Sequence, residues 1–174
     1  PNLAPPVLSI PYEATNSAKI DIQGFATANS TVKIYLDDEL VQEVKSDDDG
    51  TFKAKSIELL LGINSIYGKT EDEKGKESLP SKTIKLIYDS EKPTLEVFSP
   101  SEGQIFSGER KINITGKTEP NVTITINGEQ AILDSEGKFN RQISLSDGSN
   151  TITIVSGDAA GNSNTISRNV TFNP

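Results

Sequence analysis

The stretch INITGKTEPNVTITI (residues 112–126) lines up with IDIQGFATANSTVKI (residues 20–34) at a constant offset of 92, placing Gly24 opposite Gly116 and Asn29 opposite Asn121. In both, apolar residues alternate with polar ones, the period of a strand with one buried face. Self-similarity on this scale marks a repeated unit. Further blocks extend the match: DGTF (49–52) with EGKF (136–139) at 87, LGINSI (61–66) with DGSNTI (147–152) at 86, and Pro6, Leu8 and Ile10 with Pro93, Leu95 and Val97 at 87. The offset changes only in polar, turn-like stretches, where insertions are tolerated, while the alternation survives inside each block. Two copies of one fold account for that pattern.

Alternation predicts seven strands in the first copy, at about 6–11, 19–26, 31–37, 40–45, 51–60, 64–71 and 82–88. It predicts seven in the second, at about 94–99, 110–117, 121–127, 129–133, 138–145, 150–156 and 164–172. Short strands with turn residues every few positions are the pattern of a two-sheet sandwich. The chain therefore reads as all-β: two tandem immunoglobulin-like antiparallel β-sandwiches, 1–90 and 91–174, joined at about 89–93. The predicted core is Ile20, Ile22, Val32, Ile34, Phe52, Ile57, Leu59 and Ile66, with Ile112, Ile114, Ile124, Ile126, Phe139, Ile143, Leu145 and Ile152 as equivalents.

Two local features test the register. Phe52 and Ala54 are even-numbered while Ile57 and Leu59 are odd, whereas Phe139, Ile143 and Leu145 keep one parity. One extra residue near Lys55 and Ser56, a β-bulge in the first copy only, reconciles them. Asn127-Gly128 between two strands is the strongest short hairpin signal in the chain. The first copy has the longer YLDDELVQEV there, so its hairpin should be wider or carry longer strands.

Composition bounds the chemistry. The chain is rich in Thr, Ser, Asn and Ile and contains no His, Cys, Met or Trp. Without His or Cys there is no Ser/His/Asp triad, no Cys nucleophile, no Cys/His zinc site and no disulfide. The net charge is −8, with 10 Lys/Arg against 15 Asp/Glu up to Asp89 and 7 against 10 after it. Neither half concentrates the positive charge that draws nucleic acid or an anionic membrane. No apolar run is long enough to span a bilayer, and a chain opening on Pro1 without a leader reads as part of a longer protein.

In the second copy the order KPTLEV, INITGKTEPNVTITINGE, EGKFNRQISLSDGSNTITI, GDAAGNSN resembles the bacterial Ig-like module similar to glucodextranase domain B. The resemblance covers 93–172 well and 6–88 more loosely, since TEDEKGKES stands where the family tends to have an Asp-Ala-Ala-Gly-Asn run. It implies a β-sandwich of an exported bacterial protein, extracellular or at the cell surface, acting as spacer, attachment domain or adhesive segment. It implies no catalysis, and fold analogy goes no further.

Several residues are candidate sites. Asp89 and Glu91 lie in the linker, and a sandwich brings Glu119 and Asp158 to the entry end of the second copy. Oxygen ligands from several loops could hold Ca²⁺; the reading preferred to it is a hydrated acidic linker stiffened by Pro93, with no cofactor. Parity turns Tyr35 and Tyr67 outward on paired strands of the first copy, where Asn127 and Thr153 stand in the second. Side by side they offer an aromatic platform for a sugar, or simply an exposed cross-strand pair. SDDDG (46–50) lacks the spacing of a calcium loop and reads as a hairpin turn. In SGDAAGNSN (156–164), Asp158 and Gly161 match Asp72 and Gly75 at 86, which favours a shared turn over a shared ligand. A small sandwich filled by its own side chains has no cleft for a glycosidase's carboxylates. The expected function is a non-catalytic spacer that partners other domains of its own polypeptide. The alternatives are an adhesive or carbohydrate-binding module, directed at polysaccharide or a surface protein, and an accessory pair of a glycoside hydrolase.

Overall fold

The computed structural model describes residues 2–174. There are sixteen strands among them: β1 (Val7–Ser9), β2 (Ala14–Thr15), β3 (Lys19–Phe25), β4 (Thr31–Leu36), β5 (Glu39–Lys45), β6 (Thr51–Glu58), β7 (Gly62–Glu71), β8 (Ile84–Tyr88), β9 (Leu95–Ser99), β10 (Ile105–Ser107), β11 (Lys111–Thr118), β12 (Thr123–Ile126), β13 (Glu129–Ala131), β14 (Lys138–Ser144), β15 (Gly148–Gly157) and β16 (Ser163–Asn173). The chain divides after Ser90 into two compact units.

In unit one a three-stranded sheet, β1-β3-β6, faces a five-stranded one, β2-β8-β7-β4-β5. Unit two repeats this with β9-β11-β14 and β10-β16-β15-β12-β13. All pairings are antiparallel except β2 with β8 and β10 with β16. These two short strands let the first segment of each unit cross from one sheet to the other, and neither is foreseen by alternation. Two or three residues are too few to show a period.

Every predicted core residue is buried except Ile143, which is half-buried on the sheet-edge strand β14. Eight inward side chains of unit one, from Ile20 to Ile66, pack with Leu36, Ala54 and Leu86 into one cluster, and unit two closes its own cluster completed by Val170 and Phe172. The glycines that anchor the repeat have a packing reason. Gly24 pairs across the sheet with Phe52, and a Cβ there would run into the carbonyl oxygen of Val7 and come within 2.6 Å of the Phe52 ring. Gly116 pairs with Phe139 and meets Glu96 O and the Phe139 ring in the same way.

That contact corrects the upstream alignment. Gly24 faces Leu8 and Gly116 faces Val97, so the first strands match at 89, not 87, as far as Val97; one extra residue at Phe98 then brings Ser99 opposite Thr115, where Ser9 lies opposite Gln23. An even shift leaves the inward face unchanged, which is why the predicted faces still hold.

The bulge lies where parity placed it. Ile20 pairs with Ile57 and Ile22 with Ala54, leaving Asp21 opposite both Lys55 and Ser56, while β11 pairs with β14 without interruption. Ser56 takes a positive φ of 57°, and its N–H donates to Asp21 Oδ1 at 2.9 Å. In unit two Asn127 and Gly128 form a two-residue turn with φ 50° and 81°. In unit one the turn is equally tight, on Asp37 and Asp38; the strands are longer, and β5 carries one extra residue, Val41, between the partners of Ile34 and Tyr35.

Candidate functional site

Tyr35 on β4 and Tyr67 on β7 are direct cross-strand partners. Their rings stack with centroids 5.0 Å apart and planes 9° from parallel. Lys69 Nζ lies 5.3 Å from the Tyr35 centroid, a cation over the ring. Burial pushes the Tyr67 phenol up, and a hydrogen bond to Asp38 adds to the shift.

The stack exists because the unit-one hairpin is longer. In unit two, Asn127 N–H donates to Thr153 O and Asn127 Oδ1 accepts Thr153 N–H, each at 2.9 Å. In unit one the same reciprocal pair joins Asp37 to Ser65 at 2.9 and 3.0 Å. The turn has slid two residues along its partner strand, so the place of turn residue Asn127 becomes strand residue Tyr35. Two rings at this separation cover each other's faces and are not coplanar, as a flat platform for a sugar requires.

Beside them runs a row of charges that parity alone did not single out. Lys33, only 15% exposed, is ion-paired with Glu71, with Glu77 at 2.9 Å and with Glu43 at 3.9 Å, and Lys69 lies 3.7 Å from Glu77. The hydrogen bonds that the Lys33 ammonium donates to Glu71 and Glu77 push its pKa up, and Lys33 holds the Glu77 carboxyl below the usual range. Glu71 sits on the same outward face as Lys33, a signal alternation contains; Glu77 comes from the following loop, which alternation does not reach.

At the other candidate site, Asp158 Oδ1 accepts the N–H groups of Ala160 and Asn162 at 3.0 and 2.9 Å, and its Oδ2 accepts from Asn162 Nδ2 at 3.0 Å. Asp72 does the same with the N–H groups of Lys74 and Lys76, both at 2.9 Å. Glu119 Oε1 accepts Thr94 N–H at 3.0 Å, and Asp89 donates its own N–H to Thr15 O. Glu91 is exposed and follows Ser90. Asp158 and Glu119 are thus each engaged by backbone amides of their own unit. Among the described residues no group of three or more Asp or Glu is placed to hold a metal ion.

SDDDG is a hairpin turn: Gly50 N–H donates to Asp47 O, and Asp49 accepts from Thr51. The Thr51 hydroxyl holds the Asp49 carboxyl below the usual range, and the Lys138 backbone N–H does so for Asp134 at the matching turn. A shift of this sign keeps a carboxyl ionised, the opposite of what a general acid needs. The sequence also hid a buried amide. Asn64 binds Leu60 N–H and the carbonyls of Leu60, Gly62 and Leu86, and Asn150 makes the equivalent bonds to Ser146 and Gly148. The Gly-x-Asn shared by both copies at offset 86 was its signal.

Comparison with known proteins agrees with this architecture. Residues 93–173 match the family model described as glucodextranase, domain B. A relative, bacillopeptidase F of Bacillus subtilis (strain 168), is 30% identical over 152 residues, 87% of this chain. The chain spans only 10% of that relative's length. Among solved structures, fibronectin(III)-like modules of Clostridium thermocellum CbhA superpose with a TM-score of 0.63 at 16% identity, covering 96% of this chain and 93% of the other. A three-domain immunoglobulin segment of titin gives 0.52 at 12% identity over 98% of this chain and 66% of that one. The chain is a tandem pair of Ig-like β-sandwiches, the second of which matches the glucodextranase, domain B family model over residues 93–173.

Proposed function

We propose that the two units are a non-catalytic structural pair within a larger exported bacterial protein, spacing and presenting its other domains. The observation that carries this reading is how the repeated polar side chains are used. Asp72 and Asp158 bind the amides of their own turns, and Asn64 and Asn150 close the connection between β6 and β7 or between β14 and β15. What the copies share is spent on folding each sandwich, and what sits on their surfaces differs from one to the other. The acidic balance of both halves speaks against a nucleic-acid partner. The partners on this reading are neighbouring domains of the same polypeptide, outside the cell or on its surface.

A second reading is an accessory pair attached to an enzyme, favoured by the match to a stretch of bacillopeptidase F, whose name denotes a peptidase. Replacing the pair in its parent protein by an unrelated tandem Ig-like pair of equal length separates the readings. The spacer role predicts that activity and surface display are retained. Loss of either, with the replacement folded, rejects it in favour of a specific accessory or adhesive role.

A further inference from the structure

We propose that a groove on the outer face of the three-stranded sheet of unit one binds a neutral pyranose unit of a polysaccharide. It is an open groove of about 600 Å³ beside β1 and β3, walled by Tyr12 and lined by Ser9, Ser17, Lys19, Asp21 and Gln23. That volume lies within the roughly 300–1,000 Å³ of small-ligand sites. Tyr12 sits on the crossover between β1 and β2, 39% exposed, and is not part of either core cluster.

The chemistry fits hydroxylated rings. A tyrosine face accepts the C–H side of a sugar, and amide, carboxylate and hydroxyl groups on one side of it suit adjacent sugar hydroxyls. Asp21 is pre-positioned in the groove lining: its Oδ1 accepts Ser56 N–H at 2.9 Å, and Lys53 lies 3.7 Å from its Oδ2. Lys19 lies 3.6 Å from Glu58. Both charges in the groove are thus opposed by neighbours, and no net field selects an ion.

Two peculiarities of unit one converge here. The bulge that turns Ser56 N–H toward Asp21 occurs only in β6, and it holds a non-glycine residue at positive φ. Bulges and such strained residues concentrate near functional sites. In unit two the matching strand β14 is regular, Asn113 stands for Asp21 and Thr115 for Gln23, and there is no tyrosine. A fold that needs neither the bulge nor the tyrosine in one copy keeps both, at one groove, in the other.

The site adds to the spacer role and does not depend on it. The test is titration of the intact chain, by NMR amide shifts, with neutral hexasaccharides built from glucose, mannose, galactose or N-acetylglucosamine. The expected result is saturable binding to at least one, with a Kd on the order of 1 mM as suits a shallow single-aromatic site, and shifts centred on Tyr12, Asp21 and Gln23. Tyr12→Ala and Gln23→Ala, both at exposed positions, should each weaken binding about tenfold or abolish it, with an unchanged thermal midpoint. Tyr35→Ala should leave it intact. No binding to any of the four, or binding unaffected by Tyr12→Ala and Gln23→Ala, overturns the proposal.

Discussion

The two units solve the same folding problem with different side chains, most visibly where β7 meets its neighbour in unit one and β15 meets β16 in unit two. β15 and β16 pair without interruption from Gly148↔Phe172 to Gly157↔Ser163. In unit one Pro80 cannot donate to a ladder, and β8 is only five residues long. Two serines replace the lost strand. Ser78 donates its N–H to Thr70 O and accepts Thr70 N–H on its Oγ, and Ser81 does the same with Gly68, all at 2.8 to 2.9 Å. A hydroxyl stands in for a backbone carbonyl, so the amides of β7 stay satisfied while the chain departs from strand geometry. The substitution leaves a cost elsewhere. In unit two Thr118 and Ser156 share a buried hydroxyl hydrogen bond of 2.6 Å, but in unit one their places are taken by Ala26 and Thr70, and Thr70 Oγ1 is buried without a partner. The comparison teaches that the backbone ladder is kept at all costs and that side-chain satisfaction is what drifts.

Substitutions at shared positions test the equivalence, and those at divergent ones test the difference. The largest effect is expected for Gly24→Ala and Gly116→Ala, since the added methyl meets a backbone carbonyl and an aromatic ring in each unit. Each should cost about 3 kcal/mol or more by urea unfolding of its unit; a small cost in one unit alone breaks the equivalence. Next, Asn64→Ala should cost about 3 kcal/mol and Asn150→Ala about 1, because Asn64 is fully buried with four bonds and Asn150 is half-exposed. Equal losses would show that burial does not set the difference.

Smaller effects of opposite sign are expected at the hydroxyls. Thr70→Val should stabilise unit one by about 1 kcal/mol by removing an unsatisfied buried oxygen, and Ser156→Ala should destabilise unit two by about as much. Both destabilising, the first would imply an unseen partner for Thr70. The smallest effect is the acid dependence of unit one. Glu77 is held below its usual range by Lys33, so its contribution is present above the ordinary carboxyl pKa and is lost as pH falls through the lowered value. Glu77→Gln should therefore flatten the fall in unit-one stability below about pH 4.5 and leave that of unit two alone.

Much of this was legible in the sequence, because a strand with one buried face writes its register as parity. The sandwich pair, nearly the whole core, the bulge at Ser56 and the outward pairing of Tyr35 with Tyr67 all follow from it. Parity is blind to shifts of two, which is why Pro6 was matched to Pro93 when the strands align two residues further on. It is blind to β2 and β10, which are too short to alternate. It says which way Tyr35 points but not that its ring lies against Tyr67, since that depends on rotamers. The turn role of Asp158 was readable from its match to Asp72 at a constant offset; the amides it binds were not.

The central claim is that the polar residues repeated in both units close each sandwich and are not ligands, and Asp158 tests it most directly. Thermal melts of the wild-type chain and of Asp158→Ala would be compared in excess calcium and in EGTA. The account predicts that the substitution lowers the unit-two midpoint by the same amount in both, because the lost bonds are those to Ala160 and Asn162. A wild-type midpoint that rises with calcium, and an Asp158→Ala midpoint that does not, would contradict it.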